Sequence, residues 1–216
     1  MTTTSPNSLT LIGGGGHALV VAEAAFDSGW TLTGFYDDDG AALLGSLAAH
    51  LGPVAEASGL RASGAAVMLC VGDLAARARL LRELDGLNWA RVRHPSAMIS
   101  RRADIGAGVY FGARCVVNIR ATIADHAIIN TGAIVEHECS IGDNAHIAPG
   151  VVLCGRVTVG ANALIGAGAR VIPGVRIGSN CKVGAGAVVV RDVPDGVTVV
   201  GVPGRLVDSA RNEPGA

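Results

Sequence analysis

Large apolar residues recur at every sixth position through the second half of the chain. The sixteen leading positions are Ile99, Ile105, Phe111, Val117, Ile123, Ile129, Val135, Ile141, Ile147, Leu153, Val159, Ile165, Val171, Ile177, Val183 and Val189. Four positions after each stands a small residue, always Ala, Val or Cys. A period of six fits neither the 3.6-residue turn of an α-helix nor the alternation of a flat strand. It predicts a parallel β-helix of hexapeptide repeats, whose short strands turn at each corner of a prism.

A different pattern precedes the repeats. Residues 9–30 indicate a strand, a glycine turn and a helix with Ala and Val at helical spacing. A second predicted strand ends in three aspartates, and residues 65–73 indicate a third strand. A second helix and a further strand then lead into the repeats. We expect a small, half-Rossmann-like α/β domain with its ligand crevice at the carboxyl ends of the strands. The predicted boundaries are 1–95 for this domain, 96–207 for the β-helix and 208–216 for a flexible tail.

The glycine turn offers candidate binding chemistry. Gly13, Gly15 and Ala18 match the G-x-G-x-x-G/A nucleotide-binding fingerprint, and Asp37 follows about twenty residues later, where a ribose contact would lie. Fewer than about a hundred residues precede the repeats, which suits one mononucleotide-binding half. We interpret the segment as a nucleotide or sugar-phosphate pocket with helix N-terminal amides facing the phosphate. The alternative is that the glycines only permit a tight turn.

Composition and charge exclude several classes of binding partner. The formal net charge is -1, and no basic stretch with interleaved aromatics suggests nucleic acid or an anionic membrane surface. Neither a signal-peptide pattern nor a run of about 18 apolar residues is present, so we expect a cytoplasmic protein. The five cysteines form no C-x-x-C pair. Cys115, Cys139 and Cys181 occupy small positions of the repeat, and we interpret them as inward packing residues.

Several motifs together resemble a known family. The hexads, IGGGGH at 12–17, VEHE at 135–138 and GVPGR at 201–205 resemble the bacterial sugar O- and N-acetyltransferases of the left-handed β-helix superfamily, in the branch with a small nucleotide-binding front domain. The resemblance covers about residues 9–207, including HPSA at 94–97 and the G-x4-R pattern from Gly72 to Arg77. It implies acetyl-CoA as donor, a sugar nucleotide as partner, and homotrimers with active sites between neighbouring β-helices. It also implies three hexads per coil, so that residues 18 apart stack in columns.

The same resemblance implies site residues. The catalytic histidine falls on His137 and the carboxylate that orients it on Glu138. The backbone N–H that contacts the thioester carbonyl falls on Gly155, and further CoA contacts fall on His146, Ala167 and Ala185. The contacts to the phosphates of the sugar nucleotide fall on Gly15, Gly16 and His17. The contacts to its nucleoside fall on Asp37, Asp38 and Gly72.

The column that holds His137 suits acyl transfer. Imidazole, with an ordinary pKa of about 6.5, can take a proton from an attacking amine or hydroxyl at neutral pH. Gly155 lies one coil above, where an N–H aimed at the developing oxyanion is worth about 3 to 4 kcal/mol. Glu138 stacks between Arg120 and Arg156, so it either orients His137 or belongs to a charge ladder. No Cys or Ser shares the column, and Cys154 lies one residue off it, so direct attack without an acyl-enzyme is expected.

Three functions therefore stand as hypotheses. The first is N-acetylation of a nucleotide-linked amino sugar with His137 as general base. The second is O-acetylation of a sugar hydroxyl such as that of sialic acid, and the third is a non-catalytic sugar-nucleotide-binding scaffold. A metal site is not expected, because His126, His137 and His146 lack the H-x4-H spacing of the β-helix carbonic anhydrases. His126 is interpreted as a surface residue.

Overall fold

The computed structural model describes residues 7–207; residues 1–6 and the predicted flexible tail at 208–216 lie outside the described residues. The front domain has five parallel strands in the order β3-β2-β1-β4-β5. Their bounds are β1 Ser8–Ile12, β2 Thr31–Tyr36, β3 His50–Gly52, β4 Ala66–Leu69 and β5 Asn88–Trp89. Two α-helices, α1 Gly16–Asp27 and α2 Leu74–Glu83, and two 3-10 segments, Leu43–Ser46 and Val54–Arg61, complete it. In this strand order the connections diverge between β1 and β4, which opens a crevice at their carboxyl ends.

From Val92 onward the chain winds into a left-handed β-helix whose coils have three short strands each. The domain-facing sheet contains β6 Val92–Arg93, β9 Tyr110–Phe111, β12 Ile128–Ile129, β15 His146–Ile147, β18 Leu164–Ile165, β21 Lys182–Val183, β23 Thr198–Val200 and β24 Arg205–Val207. The apolar sheet contains β7 Met98–Ile99, β10 Val116–Val117, β13 Ile134–Val135, β16 Val152–Leu153, β19 Arg170–Val171 and β22 Val188–Val189. The polar sheet contains β8 Asp104–Ile105, β11 Thr122–Ile123, β14 Ser140–Ile141, β17 Thr158–Val159 and β20 Arg176–Ile177.

The predicted stacking of residues 18 apart is confirmed. Val116 pairs with Ile134, which pairs with Val152, and the other two sheets keep the same register. The second residue of most two-residue strands and the small residue four positions later form one continuous core. Cys115, Cys139 and Cys181 are buried in it, as predicted. Regular stacking of small and aliphatic side chains thus fills this core, to which Phe111 is the one aromatic contributor among the described residues.

Every sixth residue from Gly108 to Gly186 turns the chain in the left-handed region, with φ between 54° and 77°. Eight of these residues are not glycine: Arg114, Arg120, His126, Glu138, Asn144, Arg156, Asn162 and Asn180. This region favours Gly and Asn, so a charged residue there carries a backbone cost of roughly 1 kcal/mol. Three corners result in each coil. The His137 corner joins the apolar to the polar sheet, the Asn144 corner joins the polar to the domain-facing sheet, and the Ala167 corner joins the domain-facing to the apolar sheet.

The front domain packs on the domain-facing sheet. Val92, Tyr110 and Ile128 of that sheet share a buried cluster with Ala18 and Val21 of α1. The strand of the domain-facing sheet that comes first in the chain is β6, which begins at Val92 and pairs with β9. Within residues 7–207, no helix is both long and apolar enough to cross a membrane. The packing places the crevice of the front domain beside the outer surface of the domain-facing sheet.

Candidate active site

His137 and Glu138 form a hydrogen-bonded pair at the His137 corner. The Nδ1 atom of His137 lies 3.1 Å from Oε2 of Glu138, and Nη2 of Arg120 lies 3.3 Å from Oε1 of the same carboxylate. The His137 side chain is 46% exposed, and its Nε2 has no partner within residues 7–207. A carboxylate that accepts from Nδ1–H fixes the tautomer with a lone pair on Nε2. The imidazole is thus presented to solvent as a proton acceptor.

Gly155 lies directly against this imidazole. A Cβ atom built at residue 155 would stand 2.6 Å from both Cε1 and Nε2 of His137. The carbonyl of Gly155 accepts from Gly174 N at 3.0 Å, whereas its N–H has no acceptor within residues 7–207. An unpaired N–H next to an exposed base is a possible donor to an oxyanion.

Glu138 keeps its carboxylate on a strained backbone. Its φ is 61°, in the left-handed region. The expected ladder is only half formed, because Glu138 pairs with Arg120 and not with Arg156. An exposed pair of this kind contributes about 0 to 1 kcal/mol, so stability alone gives little reason for a glutamate here. The other contact of the Glu138 carboxylate is its hydrogen bond to His137, which fixes the orientation of the imidazole.

The glycine turn divides into two parts. Gly13 has φ 101°, and a Cβ at Gly14 would stand 2.6 Å from the Phe35 ring, so protein packing explains both glycines. A Cβ atom built at Gly15 or at Gly16 would meet nothing within 4 Å. Gly15 is the N-cap of α1, and Gly16 is its first residue. Open space at a helix N-terminus suits a phosphate.

The predicted nucleoside contacts surround the same crevice. Asp37 accepts from Gly14 N at 2.6 Å through Oδ2, and from Asp39 N at 2.8 Å through Oδ1. Asp38 accepts from the backbone N of residue 54 at 2.9 Å. Asp37 thus holds the glycine turn, and Asp38 holds the start of the 3-10 segment at residue 54. The remaining lone pairs of both carboxylates can still accept from a ligand. Gly72 completes the crevice, since a Cβ there would stand 3.9 Å from Cβ of His17.

His17 and His146 link the crevice to the β-helix. Their ring centroids are 6.4 Å apart, and His17 meets Tyr110 edge-on at 5.4 Å. Nε2 of His146 lies 3.1 Å from Nδ2 of Asn130, a contact that the sequence did not predict. Burial, reinforced by the charge of Arg77, lowers the pKa of both histidines to about 4. Both imidazoles are therefore neutral at physiological pH.

Arg77 fixes the front domain to the Asn144 corner. It is fully buried, and its guanidinium donates to Asn144 Oδ1 at 2.8 Å and to the carbonyl of His126 at 2.6 Å. It also donates to the carbonyls of Leu69 and Val71 at the end of β4. Burial lowers its pKa to about 10, which leaves it charged. Its position on the buried face of α2, three residues before Leu80, is the sequence signal that could have found it.

The interpretation of His126 as a surface residue is wrong. Its ring meets Trp89 edge-on at 5.0 Å, and its Nδ1 atom is buried without a partner in the described chain. Burial, followed by the charge of Arg77, lowers the pKa of this imidazole. His126 is a residue of the domain junction. No three His, Cys, Asp or Glu side chains between residues 7 and 207 form a group that could hold a metal ion.

The predicted site residues fall into two groups. His137, Glu138 and Gly155 lie at the His137 corner. The other group lies on the front domain, the domain-facing sheet and the Ala167 corner: Gly15, Gly16, His17, Asp37, Asp38, Gly72, His146, Ala167 and Ala185. The apolar sheet separates the His137 corner from the Ala167 corner. One chain therefore does not bring the candidate base to its own nucleotide crevice.

Family comparisons match both halves of the chain. The bacterial transferase hexapeptide family matches residues 120–155 and 156–191, and the PglD N-terminal domain family matches residues 8–84. Comparison with curated proteins gives no match.

Solved structures match nearly the whole chain. PerB from Caulobacter crescentus, in complex with CoA and GDP-perosamine, is 40% identical with a TM-score of 0.87, over 94% of this chain and 99% of its own. The acetyltransferase domain of PglB from Neisseria gonorrhoeae, in complex with acetyl coenzyme A, is 33% identical with a TM-score of 0.84, over 94% and 100%. WeeI from Acinetobacter baumannii is 27% identical with a TM-score of 0.78, over 92% and 99%. The chain therefore belongs to the hexapeptide-repeat transferases with a PglD N-terminal domain, a family of acetyl-CoA-dependent sugar acetyltransferases.

Proposed function

We propose that the enzyme acetylates the amine of a nucleotide-linked amino sugar, with a GDP-linked sugar as its acceptor. The observation that carries the reaction type is the His137–Glu138 pair with a free Nε2 beside the unpaired N–H of Gly155. The similarity to PerB, whose structure holds GDP-perosamine, supports the acceptor. The open space at Gly15 and Gly16 supports binding of its diphosphate at α1.

The reaction follows from the atoms at the His137 corner. The amine nitrogen attacks the thioester carbonyl carbon, and Nε2 of His137 takes the proton that the nitrogen loses. The N–H of Gly155 donates to the oxygen that becomes negative. When the C–S bond breaks, the CoA sulfur leaves with the electron pair and receives the proton from His137. Glu138 is a positioning residue that stabilises the transient imidazolium.

A homotrimer would unite the two groups of site residues. The apolar sheet presents Met98, Val116, Ile134, Val152 and Val188 outward, with Arg170 the one charged residue in this column between residues 98 and 188. If these sheets face a three-fold axis, each His137 corner meets the Ala167 corner of the next chain. Such a head-to-tail contact closes after three copies. His137 and Gly155 of one chain then face His146, Ala167 and Ala185 of its neighbour.

Acetyl-CoA turnover, followed by release of free thiol, tests the proposal. With a GDP-linked amino sugar, His137→Asn should lower kcat by about 10²- to 10⁴-fold while leaving KM nearly unchanged. Thr122→Ala, on the exposed polar sheet, should behave as wild type and serves as the control.

Other outcomes separate the alternatives. Turnover with the hydroxyl analogue of the sugar, but not with the amine, would favour O-acetylation. Sugar-nucleotide binding without thiol release would favour the scaffold. Mass-spectrometric detection of acetylated Cys154 in the absence of acceptor would contradict direct attack.

A further inference from the structure

The segments that border the proposed diphosphate site contain no cationic side chain. The imidazole of His17 is neutral near pH 7, because its pKa is about 4. Asp37 and Asp38 add two carboxylates, and the N-terminus of α1 offers only about half a unit of positive charge. No Lys or Arg occurs in the segments that follow β1, β2 and β4, which are residues 13–17, 37–42 and 70–73. A diphosphate bound here therefore needs positive charge from another part of the chain.

Arg77 places a buried cation beneath this crevice. Its side chain is fully buried, and its guanidinium donates to the carbonyls of Leu69 and Val71 at the carboxyl end of β4. A Cβ atom at Gly13 would stand 2.9 Å from Cγ2 of Val71, so this end of β4 contacts the glycine turn. After burial, the charge of Arg77 is the largest influence that lowers the pKa of His17, the second residue of α1. The field of Arg77 thus reaches the start of α1.

The contacts of Arg77 do not account for its charge. Besides the two carbonyls of β4 and its following loop, its guanidinium donates to the carbonyl of His126 and to the side-chain oxygen of Asn144, so all four acceptors are uncharged. None of the ion pairs within residues 7–207 includes Arg77. Neutral donors could make hydrogen bonds to the same acceptors, whereas a buried charge without an opposite charge is costly. The domain junction therefore explains the hydrogen bonds of Arg77 but not its positive charge.

We propose that Arg77 is a positioning residue whose buried charge attracts the diphosphate of the sugar nucleotide to the N-terminus of α1 without contacting it. This inference rests on the proposed function. Salt screens a buried charge much less than a charge at the surface. At an effective dielectric constant of about 20, the interaction of two unit charges about 10 Å apart changes an affinity roughly tenfold. An uncharged nucleoside gains no such attraction, so the effect is specific for the phosphates.

Calorimetric titration with GDP and with guanosine tests the proposal on Arg77→Gln and Arg77→Lys. Both substitutions lose part of the hydrogen-bond set, but only Arg77→Lys keeps a positive charge. Arg77→Gln should weaken GDP binding about tenfold and change guanosine binding by less than about twofold, because guanosine is uncharged. Arg77→Lys should bind GDP within about threefold of wild type. Arg91→Met is the matched control and should bind both ligands as wild type does, since Arg91 also donates to two carbonyls but is exposed.

Asn144→Asp tests the charge while Arg77 stays in place. The side-chain oxygen of Asn144 accepts from Nε of Arg77 at 2.8 Å, so an aspartate keeps the acceptor and supplies the opposite charge. Asn144 has φ 54°, in the left-handed region that Asp tolerates as Asn does. This variant should lose about as much GDP affinity as Arg77→Gln and keep its guanosine affinity.

The pattern of affinities separates an electrostatic from a purely structural role. Equal losses for GDP and guanosine would overturn the proposal, and so would wild-type GDP binding in both Arg77→Gln and Asn144→Asp. Arg77→Lys that binds GDP as weakly as Arg77→Gln would also contradict it. If the affinities change as expected but the wild type acetylates no amino sugar, the proposed function fails and the role of Arg77 stands. If the wild type acetylates the sugar and the charge variants bind GDP normally, the proposed function stands and the role of Arg77 fails.

Discussion

At the scale of single residues, the absence of a side chain at Gly155 leaves the space in which the imidazole of His137 lies. Gly155→Ala would place a Cβ 2.6 Å from Cε1 and Nε2 of His137, so the ring must rotate away. The backbone of Gly155 lies outside the positive-φ region, and alanine should therefore fold normally. We expect kcat to fall about 10²-fold with little change in the urea midpoint, because displacement of a catalytic group by about 1 Å costs that much. A variant with wild-type kcat would show that the observed ring position is not the catalytic one.

At the scale of elements, the sequence predicts the features that repeat along the chain, but not the contacts between residues far apart in sequence. The six-residue period specifies the coils because each leading position must fill the same core. The crevice at the strand ends was likewise predictable, since parallel strands bring their carboxyl ends to one edge. Arg77 and His126 are 49 residues apart in sequence, and their roles depend on how α2 meets the Asn144 corner. The helical spacing of α2 could indicate that Arg77 is buried, but no local pattern indicates which carbonyl its guanidinium meets. The elements β3, β5 and the 3-10 segments lack a periodic signal in the sequence.

The junction between front domain and β-helix should weaken in acid. His17 and His146 have pKa values lowered from 6.5 to about 4, and unfolding restores the ordinary value. Between about pH 6.5 and 4 the unfolded chain therefore binds more protons, so the free energy of unfolding falls as pH falls. Each histidine should remove on the order of 1 to 3 kcal/mol by pH 4.

Urea unfolding at several pH values measures this loss. The His17→Gln/His146→Gln double variant should lose less stability than wild type between pH 6.5 and 5, a window above the ordinary pKa of most carboxylates. Parallel curves for the two proteins would contradict the assignment of neutral, buried imidazoles. His126, whose pKa burial also lowers, contributes in the same direction and remains in both proteins.

At the scale of the whole molecule, the proposed trimer makes each active site a product of two chains. His137→Asn would remove the base, and Gly16→Val would place a branched side chain in the crevice, where a Cβ atom at residue 16 meets nothing within 4 Å. Neither variant alone should turn over acetyl-CoA appreciably. When both are co-expressed in equal amounts and assemble at random, a working site needs His137 from a Gly16→Val chain and the crevice from its His137→Asn neighbour. Each of the two chains at a site is the required variant with a probability of about one half, so about a quarter of the sites should be active.

The same mixture discriminates between architectures. A site completed within one chain would leave every chain defective, and no mixture of the two variants would recover activity. A two-fold, isologous dimer pairs the same surface of two chains and contains only two copies. It therefore cannot form the ring of three in which the His137 corner of each chain meets the Ala167 corner of the next. Sedimentation of the active mixture as a trimer, together with about a quarter of wild-type kcat per chain, would therefore support the head-to-tail arrangement. Inactive mixed trimers would instead require the candidate base and crevice to meet by a route other than the two corners of the apolar sheet.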